Sequence, residues 1–177
     1  MQDSTCPFGP AFRRERIEYG VSQWTVATRL RYHPRNIQRI EGGTQQPGVL
    51  LAVRLVAGVG ANPGDFFQEF FEECAENMPD SASPLCHVAV SYQRPEPAEG
   101  MKCLFGPLLA QARLAGAVSQ TAMAKMAGYN LRNVSAVEKG RQEPGIMPAL
   151  RLVAVTGADI KDFFNQLYEF SERIFEE

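Results

Sequence analysis

Histidine, cysteine and tryptophan are scarce in this chain, and long apolar runs are missing. Its 177 residues include two histidines, four cysteines and one tryptophan. Cys6, Cys74, Cys86 and Cys103 form no CxxC pair, and His33 and His87 stand at no zinc-ligand spacing from them. Reduced structural thiols are therefore expected, rather than a disulfide or a metal. No apolar run approaches the roughly 18 residues needed to span a bilayer, so no membrane partner is expected. The opening residues carry no basic segment ahead of an apolar one, which argues against a secretory signal and makes cytoplasmic the default location. No nucleophile–base pair, carboxylate dyad or phosphate-binding glycine loop stands out, so neither an enzyme nor a cofactor is expected.

Apolar residues are 45% and charged residues 21%, the balance of an ordinary globular protein. Net charge is −2, which at first argues against a nucleic-acid partner. The distribution is more informative than the sum. Residues 1–60 hold eight arginines against four acids. The acids gather in residues 65–76 and at the end of the chain. A basic front and an acidic back is compatible with a DNA-binding face.

The main feature is an internal repeat. Sliding the chain by 97 residues aligns 6–70 with 103–167 without a gap, and 27 of 65 positions are identical. Two copies of this length are a duplicated domain, since a solenoid needs three or more units. The expected organisation is domain one at 6–77, a proline-rich linker at 78–100 and domain two at 101–177.

Each unit reads as five short helices. Pro10 suits the first turn of the first helix, which should run to Gly20 with Phe12 and Ile17 on its apolar face. Ser22 and Ser119 suit the N-cap of the second helix, and His33 and Asn130 that of the third. Pro34 follows at its first position, and Gly43 or Gly140 stops it. The fourth helix starts at Val49, and Asn62 or Asp159 caps an aromatic fifth. Phe170, Ile174 and Phe175 imply a longer last helix in the second copy. Trp24, in the first turn of the second helix, is expected to cover part of the core. In the linker, residues 85–92 read either as a strand that pairs with a second subunit or as a drape over one domain, and draping is favoured.

The units resemble the lambda-repressor-like, or XRE/Cro-type, helix-turn-helix domains. The motifs carrying the resemblance are Ser22-Gln23 and Ser119-Gln120, the helix endings at 40–43 (IEGG) and 137–140 (VEKG), the following Pro47 and Pro144, and the GANPGDFF start of the fifth helix. The resemblance covers both repeats but not the linker. It implies an all-α chain of two tandem five-helix DNA-binding domains. It implies that Gln23 and Gln120 contact the DNA backbone, and that Arg16 with Glu41 and Arg113 with Glu138 are structural ion pairs. It makes the third helix the recognition helix, with Pro34, Arg35, Gln38 and Arg39 facing the groove in copy one. The copy-two equivalents are Leu131, Arg132, Ser135 and Ala136. It also implies dimerisation through the fifth helix, either between the two repeats or in a homodimer, for which the linker offers a second route.

Arginine can bond guanine bidentately and glutamine can read adenine, so Arg35, Gln38 and Arg39 are candidate readers, with a solvated charged face as the bland alternative. Asn36 and Asn133 accompany them. Arg29, Arg31 and Thr44, with Lys125, Lys139 and Arg141 in copy two, are candidate phosphate contacts that position without reading sequence. The function implied is a sequence-specific transcriptional regulator, of the repressor kind, that holds double-stranded operator-like DNA as a pseudo-dimer. The alternative is a protein–protein module, with the second repeat used for assembly. Copy two has Ser135-Ala136 opposite Gln38-Arg39, so it looks the weaker reader and the two half-sites should be unequal.

Overall fold

Ten α-helices and no strand make up the described residues, which in this computed structural model are 6–75, 88–96 and 101–172. The first repeat holds α1 (Phe8–Glu18), α2 (Gln23–Arg29), α3 (Pro34–Glu41), α4 (Val49–Val59) and α5 (Pro63–Ala75). The second holds α6 (Phe105–Ala115), α7 (Gln120–Ala127), α8 (Leu131–Glu138), α9 (Ile146–Thr156) and α10 (Ile160–Glu172). The chain is all-α.

Local chemistry sets the helix ends. Ser22 Oγ accepts the Thr25 N–H at 3.0 Å, and Ser119 Oγ that of Ala122 at 3.1 Å. His33 Nδ1 accepts from the Arg35 N–H at 3.1 Å, and Asn130 Oδ1 from that of Arg132 at 2.8 Å. Asn62 and Asp159 cap α5 and α10 in the same way, each at 2.9 Å. These bonds satisfy amide groups that a helix start leaves orphaned. Between the second and third helices of each unit the chain needs one left-handed residue. Gly128 supplies it at φ 64° in the second repeat, whereas Arg31 holds φ 53° in the first. The geometry is kept although the residue that adopts it easily is not.

Three expectations need correction. The first helix begins at Phe8, so Pro10 lies within the first turn instead of opening it. Its buried stripe is Phe8, Ala11 and Phe12, continued by Arg16, and that leaves Ile17 58% exposed. Trp24 is 70% exposed and covers no core, because Val26 and Ala27 already fill the inner face of α2. A fourth expectation, the longer last helix of the second copy, falls on Ile174 and Phe175, outside the described residues; within them α5 and α10 each run 13 residues.

The repeats pack around an internal pseudo-two-fold axis. The Val49 N–H donates to the Pro144 carbonyl at 3.0 Å, and the Ile146 N–H to the Pro47 carbonyl at 3.2 Å. Each position bonds the counterpart of its own neighbour, as in an isologous dimer interface. Phe67 stacks on its own counterpart Phe164, ring centroids 4.2 Å apart, and both rings are fully buried. Around them α5 lies along α10, with the Asn165 amide oxygen accepting the Gly64 N–H at 3.0 Å. The apolar core runs continuously through this contact. The fifth-helix faces thus meet within one chain.

Residues 88–96 run extended along the second repeat. The Val88 N–H donates to the Gly157 carbonyl at 2.8 Å, Tyr92 meets Phe163 edge-on, and the Gln111 amide bonds both backbone groups of Gln93. This part of the linker drapes; residues 85–87 lie outside the described residues. Cys6 and Cys103 sit alike, their N–H groups directed at the carbonyls of Gly43 and Gly140. They differ in depth, since Cys6 is half-buried and Cys103 buried. Burial pushes the Cys103 thiol up to about 12, where thiolate is negligible at neutral pH. Iodoacetamide treatment of the folded protein, read by peptide mass mapping, is therefore expected to label Cys6 and Cys74 well before Cys103. Equal rates at the three would contradict this packing.

Candidate functional site

The third helix of each unit divides its residues cleanly between two faces. In α3, Ile37, Ile40 and Glu41 are buried and Arg35, Gln38 and Arg39 are exposed. Glu41 is a buried acid held by three donors. Arg16 reaches it through Nε at 2.6 Å and Nη2 at 3.1 Å, and Gln23 Nε2 at 2.7 Å. The remaining guanidinium nitrogen, Nη1, donates to the Val21 carbonyl at 2.6 Å. The second repeat has the same network, with Arg113 Nε at 2.5 Å and Gln120 Nε2 at 2.5 Å from Glu138. These donors offset the cost of taking a carboxylate out of water. The network fixes the end of the third helix against the first helix and the start of the second. Close backbone approach helps: a methyl built on Gly9 would overlap the Ile40 carbonyl, and one on Gly106 the Val137 carbonyl.

The network also limits the two glutamines. Each amide NH2 has two hydrogens, and one goes to the glutamate. The other is the donor left for a ligand outside the protein.

Two concave surfaces lie over these helices. The first is lined by Arg35, Gln38, Arg39, Gly42 and Thr44. Thr44 Oγ donates to the Arg39 carbonyl at 3.0 Å and so closes the end of α3. The second collects Gln120, Thr121, Leu131, Arg132, Ser135, Ala136, Lys139 and Arg141. Among the described residues that line them, none is acidic. Acids gather elsewhere: burial, and then Glu18 and Glu69, raise the Glu15 carboxyl above the usual range. A guanidinium fork on an acid-free concave surface suits planar, multiply hydrogen-bonding anions and base edges.

The other predicted residues do not line either surface. Arg29 is engaged at the end of α4, where its Nη1 donates to the Gly58 carbonyl at 2.6 Å. Arg31, Lys125 and Asn133 are exposed away from the lining, and Pro34 and Asn36 are half-buried beside it. Gln23 stands beside the first surface, tied to Glu41. Sequence reasoning missed Gly42 and Thr121 as lining. Thr121 aligns with Trp24, which the structure exposes, so no sequence signal marked that position.

No protein-family model matches the chain, and no match is found among curated proteins or solved structures.

Proposed function

We propose that the chain is a sequence-specific DNA-binding transcriptional regulator, a repressor, whose two helix-turn-helix repeats act as a covalent pseudo-dimer. The observation that carries this reading is the pair of acid-free surfaces, each built on the outer face of a short helix and related by the internal axis. A major groove about 12 Å wide admits such a helix. In the first repeat Arg35 and Arg39 take guanine edges or phosphate, and Gln38 takes adenine. In the second, Arg132 has the same place as Arg35, with Lys139 and Arg141 set for phosphate. Each recognition helix ends seven residues before the axis contact at Gly48 or Gly145. The two helices would then enter successive major grooves, about 34 Å apart.

Duplexes selected from a random pool by the full chain, then measured by fluorescence anisotropy, test the reading. Arg35→Ala with Arg39→Ala is expected to weaken a selected duplex by about 30-fold or more, since a bidentate base contact contributes about 1–3 kcal/mol. Removing Lys139 and Arg141 together should reduce the slope of log affinity against log salt by about 2, with little change in selectivity. If no duplex is enriched at low salt, the proposal is wrong. A second reading makes the second repeat a protein–protein surface, on the strength of Leu131 at 44% exposure where the first repeat has Pro34. Unchanged DNA affinity in Arg132→Ala, Lys139→Ala and Arg141→Ala together would favour it.

A further inference from the structure

The two surfaces occupy equivalent places but differ in chemistry. Pro34, Gln38 and Arg39 in the first repeat align with Leu131, Ser135 and Ala136 in the second. Leu131 opens α8 and is 44% exposed, while Val134 and Val137 of the same helix are fully buried. The core therefore makes no demand on Leu131. An isolated exposed leucine would need no explanation. This one lies in a lining that is otherwise polar or cationic except for Ala136, which is half-buried on the same surface, with Arg132 beside it. Leu131 and Ser135 are four apart, as are Arg132 and Ala136, so the four side chains form two adjacent rows on one helix face. Each row holds one apolar and one polar side chain, so Leu131 and Ala136 are two separate apolar points set among Arg132, Ser135 and Lys139, a pattern that fits an anionic ligand presenting more than one apolar group. In the major groove such a group is the C5-methyl of thymine, the one apolar mark among the base edges.

Resting on the DNA-binding reading above, we propose that the second repeat reads its half-site through thymine methyl groups at Leu131 and Ala136, while the first reads by hydrogen bonds. The operator is then chemically unequal in its halves. The half beneath α8 depends on thymine, and the half beneath α3 depends on guanine and adenine edges at Arg35, Gln38 and Arg39. The second repeat reads sequence as well as positioning the chain.

Deoxyuridine tests this without touching the protein, because it pairs as thymine does and lacks only the methyl. The probe is the tightest duplex selected from a random pool, with thymines replaced by deoxyuridine one half at a time. The half beneath α3 is identified as the one whose base preference Arg35→Ala relaxes. Replacement in the other half is expected to weaken binding about fourfold per contacted methyl, the equivalent of burying one methyl group. Replacement beneath α3 should leave affinity unchanged. Leu131→Ala, an exposed position, should reduce or remove the sensitivity to deoxyuridine. Binding that is selective yet indifferent to deoxyuridine in both halves overturns the proposal and leaves the DNA-binding reading intact. So does a sensitivity that Leu131→Ala does not reduce. Failure to enrich any duplex removes the DNA-binding reading and the proposal together.

Discussion

Glu41→Ala is expected to destabilise the protein by about 3–5 kcal/mol, because it leaves the buried guanidinium of Arg16 without its carboxylate. Both partners are nearly out of water, with side chains 11% and 3% exposed. The loss should be read from the midpoint of urea unfolding at unchanged slope. A loss below about 1 kcal/mol would put the pair in the class of solvent-screened surface bridges and contradict the burial. Replacing both residues, Arg16→Met with Glu41→Leu, should recover much of the stability, since an apolar pair of similar volume leaves no charge unsolvated. The double variant should still lose the fixed orientation of Gln23, because Glu41 is what its amide donates to. Glu138→Ala should act alike in the second repeat, where Arg113 and Gln120 surround the carboxylate.

Phe67→Ala should cost a similar amount, about 3–5 kcal/mol, for a fully buried phenylalanine whose surroundings collapse only partly. Phe67 lies on the internal axis against Phe164, so this loss falls on both repeats at once. Phe164→Ala should match it. The double variant should lose less than the sum, because each single change already removes the shared ring stack. Calorimetry of the unmodified protein is expected to show one cooperative transition. Two separated transitions would mean that the core between the repeats does not couple them.

Much of this arrangement could be read from the residue pattern. Duplication, five helices per unit, and the caps at Ser22, Ser119, His33 and Asn130 depend on spacing and on short-range hydrogen bonds, which sequence displays directly. The outward positions of Arg35, Gln38 and Arg39 follow from where Ile37 and Ile40 fall on the same helix. What failed depended on rotation and on long-range packing. Ile17 looked like core because it is isoleucine, but α1 presents a stripe set by Phe8 and Phe12, and Arg16 takes the next buried place. Trp24 looked like core because it is tryptophan, yet α2 is only seven residues long and offers a narrow inner face. Arg29 gives one guanidinium N–H to the carbonyl of Gly58, a partner too distant in sequence for any local pattern to mark. The axis itself could be anticipated from the surplus of aromatics in the fifth helices. The reciprocal bonds at Pro47 and Pro144 could not, since they involve backbone groups that no side-chain pattern marks.

The reciprocal contact has a consequence for dose. A homodimer holds together only in proportion to its concentration, so its stability and its subunit concentration are linked. Here the two halves meet inside one polypeptide, and that meeting does not weaken on dilution. Pairing of the two surfaces is first order in protein, with no monomer pool to fill beforehand. Occupancy of any ligand that spans both should rise with a Hill coefficient near one, and halving the protein should halve the complex in the dilute limit. One gene also encodes each face separately, so a substitution alters one side of the pair without forcing the same change on the other.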